Sequence, residues 1–296
     1  MVEYPVQIHE KAQSSSSKER VKAIGYINNN IRRFDGIISV WEDLHSLTQD
    51  EDKRVRRGAI VALGKIFADV PDRDRAWEDL HSLTQDEDKR VRSSVIVVLR
   101  AIFADLPDKN EAWRDLHRLT QDGEGSIRRD AADALGWTFV FISDKDEAWE
   151  VLHRLTQDED KYVRRGATVA LGKIFADVPD KDEAWGDLHR LTQDKDKQVR
   201  CGAVGALGRV FALAPDKDEA WRDLHRLTQD KNKTVRWGAA YALGVVFAGV
   251  PDKDEAREDL HRLTQDEDKN VRWIATNALG VAMGVFNSYY DFLFGK

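Results

Sequence analysis

WEDLHSLTQDEDKRVR, residues 41–56, recurs letter for letter at residues 77–92. The shift is 36 residues, and it continues along the chain. Trp41, Trp77, Trp113, Trp149, Trp185 and Trp221 all stand at that spacing, and the next step falls on Arg257. His45, His81, His117, His153, His189, His225 and His261 keep the same register. So do the pairs Val55-Arg56, Val91-Arg92, Ile127-Arg128, Val163-Arg164, Val199-Arg200, Val235-Arg236 and Val271-Arg272. A fixed period of this size marks an array of repeated structural units. Seven repeats are expected, at 41–76, 77–112, 113–148, 149–184, 185–220, 221–256 and 257–292, followed by a tail at 293–296.

Each unit reads as two helices. In the first, Asp180 supplies an N-cap ahead of Glu183, and Pro179 blocks continuation of the helix before it. Trp185, Leu188, His189, Leu191 and Thr192 then fall on one helical face. QDEDK interrupts the pattern and offers Asp52 as the next cap. The second helix, KRVRRGAIVALGKIFADV, places Val55, Ala59, Ala62, Leu63, Ile66 and Phe67 on its apolar face. No alternation of period two is sustained, so essentially no sheet is expected.

One helix pair cannot bury both faces, whereas stacked pairs can. The reading is therefore an all-α, right-handed α-solenoid, a superhelix of seven helix-turn-helix repeats with terminal caps. Residues 1–40 read as a flexible N-terminus, mobile over 1–17, followed by a capping helix whose stripe is Val21, Ile24, Ile27, Ile31 and Phe34. At the other end Phe286, Tyr289, Tyr290, Phe292 and Phe294 are expected to seal the last repeat, with a sticky patch for a partner as the alternative.

Composition narrows the function classes. No apolar run approaches a membrane span, and no basic region followed by an apolar core opens the chain as a secretory signal would. Cys201 is the only cysteine, which excludes an internal disulfide and a cysteine-based zinc site. A cytoplasmic protein is expected.

VRRGATVALGKIF (163–175), VRCGAVGALGRVF (199–211) and VRWGAAYALGVVF (235–247) resemble the second helix of HEAT repeats, closest to the phycobilisome-lyase-like subtype. The resemblance covers the repeated region. It implies a scaffold for binding rather than an enzyme. It also implies a ladder between neighbouring units, built from a turn Asp and the Arg six residues later, here Asp50 with Arg56 and its counterparts through Asp266 with Arg272. Finally, it implies that the second helices line an inner, concave face.

Charge is sorted by helix. The seven first helices with their turns total -17, the second helices +20 and the loops -13, within a net charge of -7. Positions equivalent to 54, 57, 61 and 65 share a narrow outward stripe of the second helix and are among the positions that vary most between repeats. From that stripe we take Arg54, Arg57, Lys65, Arg90, Arg129, Trp137, Tyr162, Arg165, Lys173, Arg209, Trp237, Tyr241 and Trp273 as candidate partner-binding residues. Asn277 lies on the same stripe. Aromatics beside arginine suit capture of an acidic or amphipathic protein segment. They also suit nucleic acid, through phosphate contact and base stacking. A third reading is that the charges are simply solvated and the aromatics pack against adjacent helices.

Catalysis finds little footing. The in-register histidines sit one per repeat, too far apart to share a zinc ion without other ligands, and read as hydrogen-bonded framework residues. The His-Glu pairs of an iron-dependent HEAT hydroxylase are matched only by His9-Glu10. Nothing matches a bilin-lyase role. Arg129, Asp133 and Trp137 faintly echo a HEAT-like DNA glycosylase. No phosphate loop or G-x-S-x-G elbow occurs. Neither cofactor, metal nor small-molecule substrate is expected. Gly64 and its counterparts read as close-packing positions.

Overall fold

The computed structural model describes residues 2–35 and 37–284. It divides into two compact units between Asp144 and Lys145. The first carries α1 (Val6–Ala12), α2 (Ser17–Asn30), α3 (Ile37–Thr48), α4 (Lys53–Ile66), α5 (Arg73–Leu83), α6 (Lys89–Ile102), α7 (Lys109–Leu119) and α8 (Gly125–Thr138). The second carries α9 (Lys145–Leu155), α10 (Lys161–Ile174), α11 (Lys181–Thr192), α12 (Lys197–Val210), α13 (Lys217–Thr228), α14 (Lys233–Val246), α15 (Lys253–Leu263) and α16 (Lys269–Ala282). The expected alternation of helix one and helix two is what forms. The fold is an all-α solenoid.

The caps act as the sequence reading requires. Asp180 Oδ1 accepts from the Glu183 N–H at 2.9 Å, and Asp52 Oδ1 accepts from the Arg54 N–H at 2.8 Å. Asp50 tightens the intervening turn by accepting from the Asp52 N–H at 2.7 Å. Each such bond satisfies a backbone donor that a helix start leaves open.

In the first unit α2, α4, α6 and α8 pack in series, with α1, α3 and α5 forming the companion row. In the second unit α10, α12, α14 and α16 pack in series beside α11, α13 and α15. The apolar face of α12 (Val199, Ala203, Leu207) and Leu188 of α11 are fully buried. Close approach of the second helices demands small residues. A Cβ added to Gly172 would lie 2.7 Å from the Ala206 Cβ and 2.8 Å from its Cα, and one added to Gly64 would meet Val98 at 2.8 Å. The ALG glycines are packing positions.

Two features differ from the sequence reading. Residues 1–17, expected to be mobile, hold α1 and a two-residue strand, β1 (Val2–Glu3). That strand pairs in parallel with β2 (Phe34–Asp35). Tyr4, Ile8 and Ala12 are buried, and Tyr4 donates to Asp43 at 2.7 Å. The reason is that α1 and α2 reproduce the repeat. His9 lies 36 residues before His45 and Arg20 lies 36 before Arg56. Arg20 clasps Asp50 and donates to the Ser14 and Ser15 carbonyls, as Arg56 clasps Asp86 and donates to the Asp50 and Glu51 carbonyls. The β1–β2 pair is the second difference, since essentially no sheet was expected. The aromatic cluster at 286–294 lies outside the described residues.

Candidate partner-binding face

Much of the chain's charge is spent on holding repeats together. The guanidinium of Arg164 donates to both Asp194 oxygens at 2.7 and 3.0 Å, and Arg200 to both Asp230 oxygens at 2.6 and 2.9 Å. The carboxylate partner is therefore the Asp of the following repeat, 30 residues on. The Asp six residues before each Arg contributes its backbone carbonyl, as Asp158 does to Arg164 at 2.8 Å. This corrects the expected pairing of Asp50 with Arg56. Within each unit the ladder stands, but the carboxylate reaches back to the arginine of the repeat before it. Burial pushes Asp194, Asp230 and Asp266 up, yet their arginine partners outweigh it and leave all three below the ordinary aspartate range.

Further rungs run beside it. His45 Nδ1 meets Asp79 at 2.8 Å, His153 meets Asp187 at 2.7 Å and His225 meets Asp259 at 2.7 Å. Those aspartates are buried, and burial holds Asp79 and Asp223 above the usual range despite their histidines. His45, His81, His153, His189 and His225 are thus hydrogen-bonded framework residues. The periodic tryptophans add an N–H: Trp149 to Glu183 at 2.7 Å and Trp221 to Glu255 at 2.9 Å. Arg190 and Arg226 reach back to the hydroxyls of Thr156 and Thr192, each at 2.7 Å. Lys53 and Lys233, at the starts of their second helices, reach the cap aspartates of the next repeat, Asp88 and Asp268, at 2.7 and 2.8 Å.

Against this frame the outward stripe sorts into three groups. Some of its basic residues are engaged locally. Arg54 is held by Asp52, Arg129 by Asp130 at 2.6 Å, and Lys65 by the Asn28 carbonyl at 2.7 Å. Arg57, half-buried, touches the Ser94 hydroxyl at 3.5 Å, and Lys173 is half-buried. Arg90, Arg165 and Arg209 are exposed with no acidic partner among the described residues. The aromatic members all face outward: Trp137 is 52% exposed, Tyr162 45%, Trp237 38%, Tyr241 40% and Trp273 50%. The six periodic tryptophans are buried at 5% or less. Asn277 departs from its expected outward place. It is buried, and its Nδ2 has no hydrogen-bond partner among the described residues.

The structure gathers three of the aromatics in the second unit. Trp237 and Tyr241 stack on α14, with centroids 6.0 Å apart and planes 2° from parallel. Trp273 occupies the equivalent place to Trp237 one repeat later, on α16. An open notch of about 350 Å³ lies between them, lined by Lys233, Thr234, Trp237, Asp268, Asn270 and Trp273. Tyr162 carries Lys161 over its ring at 5.2 Å. In the first unit Arg100 lies over the Trp137 ring at 5.3 Å and donates to Asp133 at 2.8 Å. Arg129, which with Asp133 and Trp137 faintly echoes a glycosylase site in the sequence, turns to Asp130 instead. Arg100 went unnoticed in the sequence because it lies outside the four-position stripe.

A sequence model for HEAT repeats matches residues 10–100, 44–136 and 224–285, most of the chain. The chain belongs to the HEAT-repeat family. No curated protein matches it. Among solved structures, this HEAT chain is similar to one from the complex in which Kap95p binding induces the switch loops of RanGDP to adopt the GTP-bound conformation. The TM-score is 0.69 at 17% identity, covering 95% of this chain and 41% of the other. A structure of importin beta in a polyethylene glycol condition gives a TM-score of 0.67 at 17% identity, covering 93% and 42%. The HEAT chain thus spans about two fifths of the length of these neighbours, and the likeness is one of fold. No helix among the described residues is long and apolar enough to cross a membrane.

Proposed function

We propose that this HEAT protein is a non-catalytic interaction scaffold that holds a protein or peptide segment on the outward faces of its second helices, chiefly α10 to α16. The observation that carries the reading is the exposed set Trp237, Tyr241 and Trp273 on the outward stripe of α14 and α16. Burying an aromatic side chain against a ligand is worth more than burying almost any other, and Trp, Tyr and Arg dominate binding hot spots. The column equivalent to position 57 reads Arg165, Cys201, Trp237, Trp273 along the second unit. With Arg209 also unpaired by acid, the face grades from basic to aromatic. It suits an amphipathic segment with acidic residues toward α10 and apolar ones toward α16. Kap95p, whose fold is similar, binds another protein, RanGDP.

The nucleic-acid reading draws less support. Lys53, Lys65, Arg54, Arg129 and Lys233 are already bonded to acceptors within the protein, so the +20 of the second helices greatly overstates the charge available to phosphates. Replacing Trp237 and Trp273 together by Ala should reduce capture of the partner from native extract while leaving the helical circular dichroism unchanged. Capture at the wild-type level would refute the proposal.

A further inference from the structure

The junction between α13–α14 and α15–α16 shows what each repeat offers its successor. Arg236 donates Nε and Nη2 to Asp266 at 2.6 and 2.9 Å, His225 meets Asp259 at 2.7 Å, and Lys233 reaches Asp268 at 2.8 Å. The three acceptors sit on one helix-turn segment, as Asp, six residues, Asp, one residue, Asp. Shifted by 36, the donors become Arg272, His261 and Lys269. Arg272 is already oriented. Its Nη1 donates to the Asp266 and Glu267 carbonyls at 2.7 and 3.0 Å, as Arg236 Nη1 does to Asp230 at 2.9 Å. Its Nε and Nη2 meet no carboxylate among the described residues. Arg272 and His261 are exposed, whereas Arg164 and Arg200 are 6% and 7% exposed. Thr264 is half-buried where Thr192 and Thr228 are 1% exposed. One rung is altered: Arg257 stands in the tryptophan position and pairs with its own Asp254 at 2.6 Å.

We infer that this end of the second unit is a docking surface for an acidic helix-turn segment of another protein, bearing three carboxylates at that spacing. Charge complementarity points to that occupant, in a geometry the chain itself displays at its inner junctions. A planar guanidinium already held at one nitrogen loses little freedom in closing a bidentate bond to a carboxylate. A second copy of this chain is the poorer fit. At the positions equivalent to Asp43, Asp50 and Asp52, its first repeat carries Gln7, Ser14 and Ser16, all neutral. Residues 285–296 hold one acid, Asp291.

The probe is a fluorescent peptide with the sequence of residues 253–268, which carries Asp259, Asp266 and Asp268, titrated by anisotropy against the full chain at low salt. A control peptide has all three replaced by Asn. The acidic peptide should bind, the control should not, and Arg272→Gln should weaken binding by about tenfold or more. His261→Ala should weaken it less, and both variants should melt with the wild type. Equal binding of both peptides, no binding of either, or an unchanged affinity in Arg272→Gln overturns the inference. So does self-association of the wild type that Arg272→Gln abolishes, which would make a second copy the occupant. Binding that appears only after removal of residues 285–296 would assign the surface to the chain's own segment. The Trp237/Trp273 variant keeps peptide binding here, so the two proposals fail separately.

Discussion

Replacing Arg200 by Met removes one rung of the ladder while keeping most of the aliphatic stem. Four hydrogen bonds go: two to Asp230 and two to the Asp194 and Lys195 carbonyls, at 2.8 and 3.2 Å. The Asp230 carboxylate is left with the Asn232 N–H at 2.7 Å as its remaining bond. Both side chains are only about a tenth exposed, so the lost partner is not replaced by bulk water. Breaking a buried pair from one side costs about 3–5 kcal/mol, and the residual exposure puts this rung near the low end, about 3 kcal/mol. In a solenoid each repeat leans on its neighbours, so the loss should be local. Native-state hydrogen exchange is the suitable assay. Amides of α12 and α14 should lose protection by about two orders of magnitude, since each tenfold is 1.36 kcal/mol. Adding Asp230→Asn should recover a large part of the loss, because no unpaired charge then remains. A loss below about tenfold in Arg200→Met, or a double variant worse than the single, would refute the reasoning that these arginines are structural.

Other perturbations act on the same contacts. Trp221→Ala, which empties a buried site and drops the bond to Glu255, should cost about 3–5 kcal/mol in denaturant titration, whereas Trp237→Ala should leave the midpoint unchanged. Gly172→Ala should destabilise by about 1–3 kcal/mol because Ala206 backbone blocks the new methyl, while Gly205→Ala, with open space inside α12, should stabilise by about 0.5–1 kcal/mol. Asp194, Asp230 and Asp266 have folded pKa values below their unfolded ones, and Arg54 holds Asp52 down to about 2. Their stabilisation is present above the unfolded aspartate pKa and lost as pH falls through the folded values, so the melting temperature should drop on acidification from about pH 5 to pH 2. Asp79 and Asp223, raised by burial, act in the opposite sense and should blunt the fall in part.

The sequence carried the repeat almost completely, because every landmark of the frame recurs at the same offset. Caps, turn aspartates and packing glycines are local and could be read one repeat at a time. The N-terminal repeat was hidden because Pro5 stands in the tryptophan position and Ser14 in the aspartate position, although His9 and Arg20 kept the register. The charge sum is coarse for a different reason. A sum over a helix cannot show that Lys53 and Lys233 reach acids 35 residues away, or that Arg129 turns to its own neighbour. Asn277 lies on the outward stripe by helical angle, yet packing buries it. The aromatic members were legible because three tryptophans broke the 36-residue rule, and the structure leaves all three exposed on the second helices.

The most direct test of the aromatic face is affinity for a defined ligand. Peptides selected from a random display library against the wild-type chain should bind the Trp237→Ala/Trp273→Ala variant at least about tenfold more weakly, and hydrogen exchange should place their footprint on α14 and α16. Selected peptides that bind both proteins equally, or that protect only the first helices, would contradict the assignment of the aromatic face.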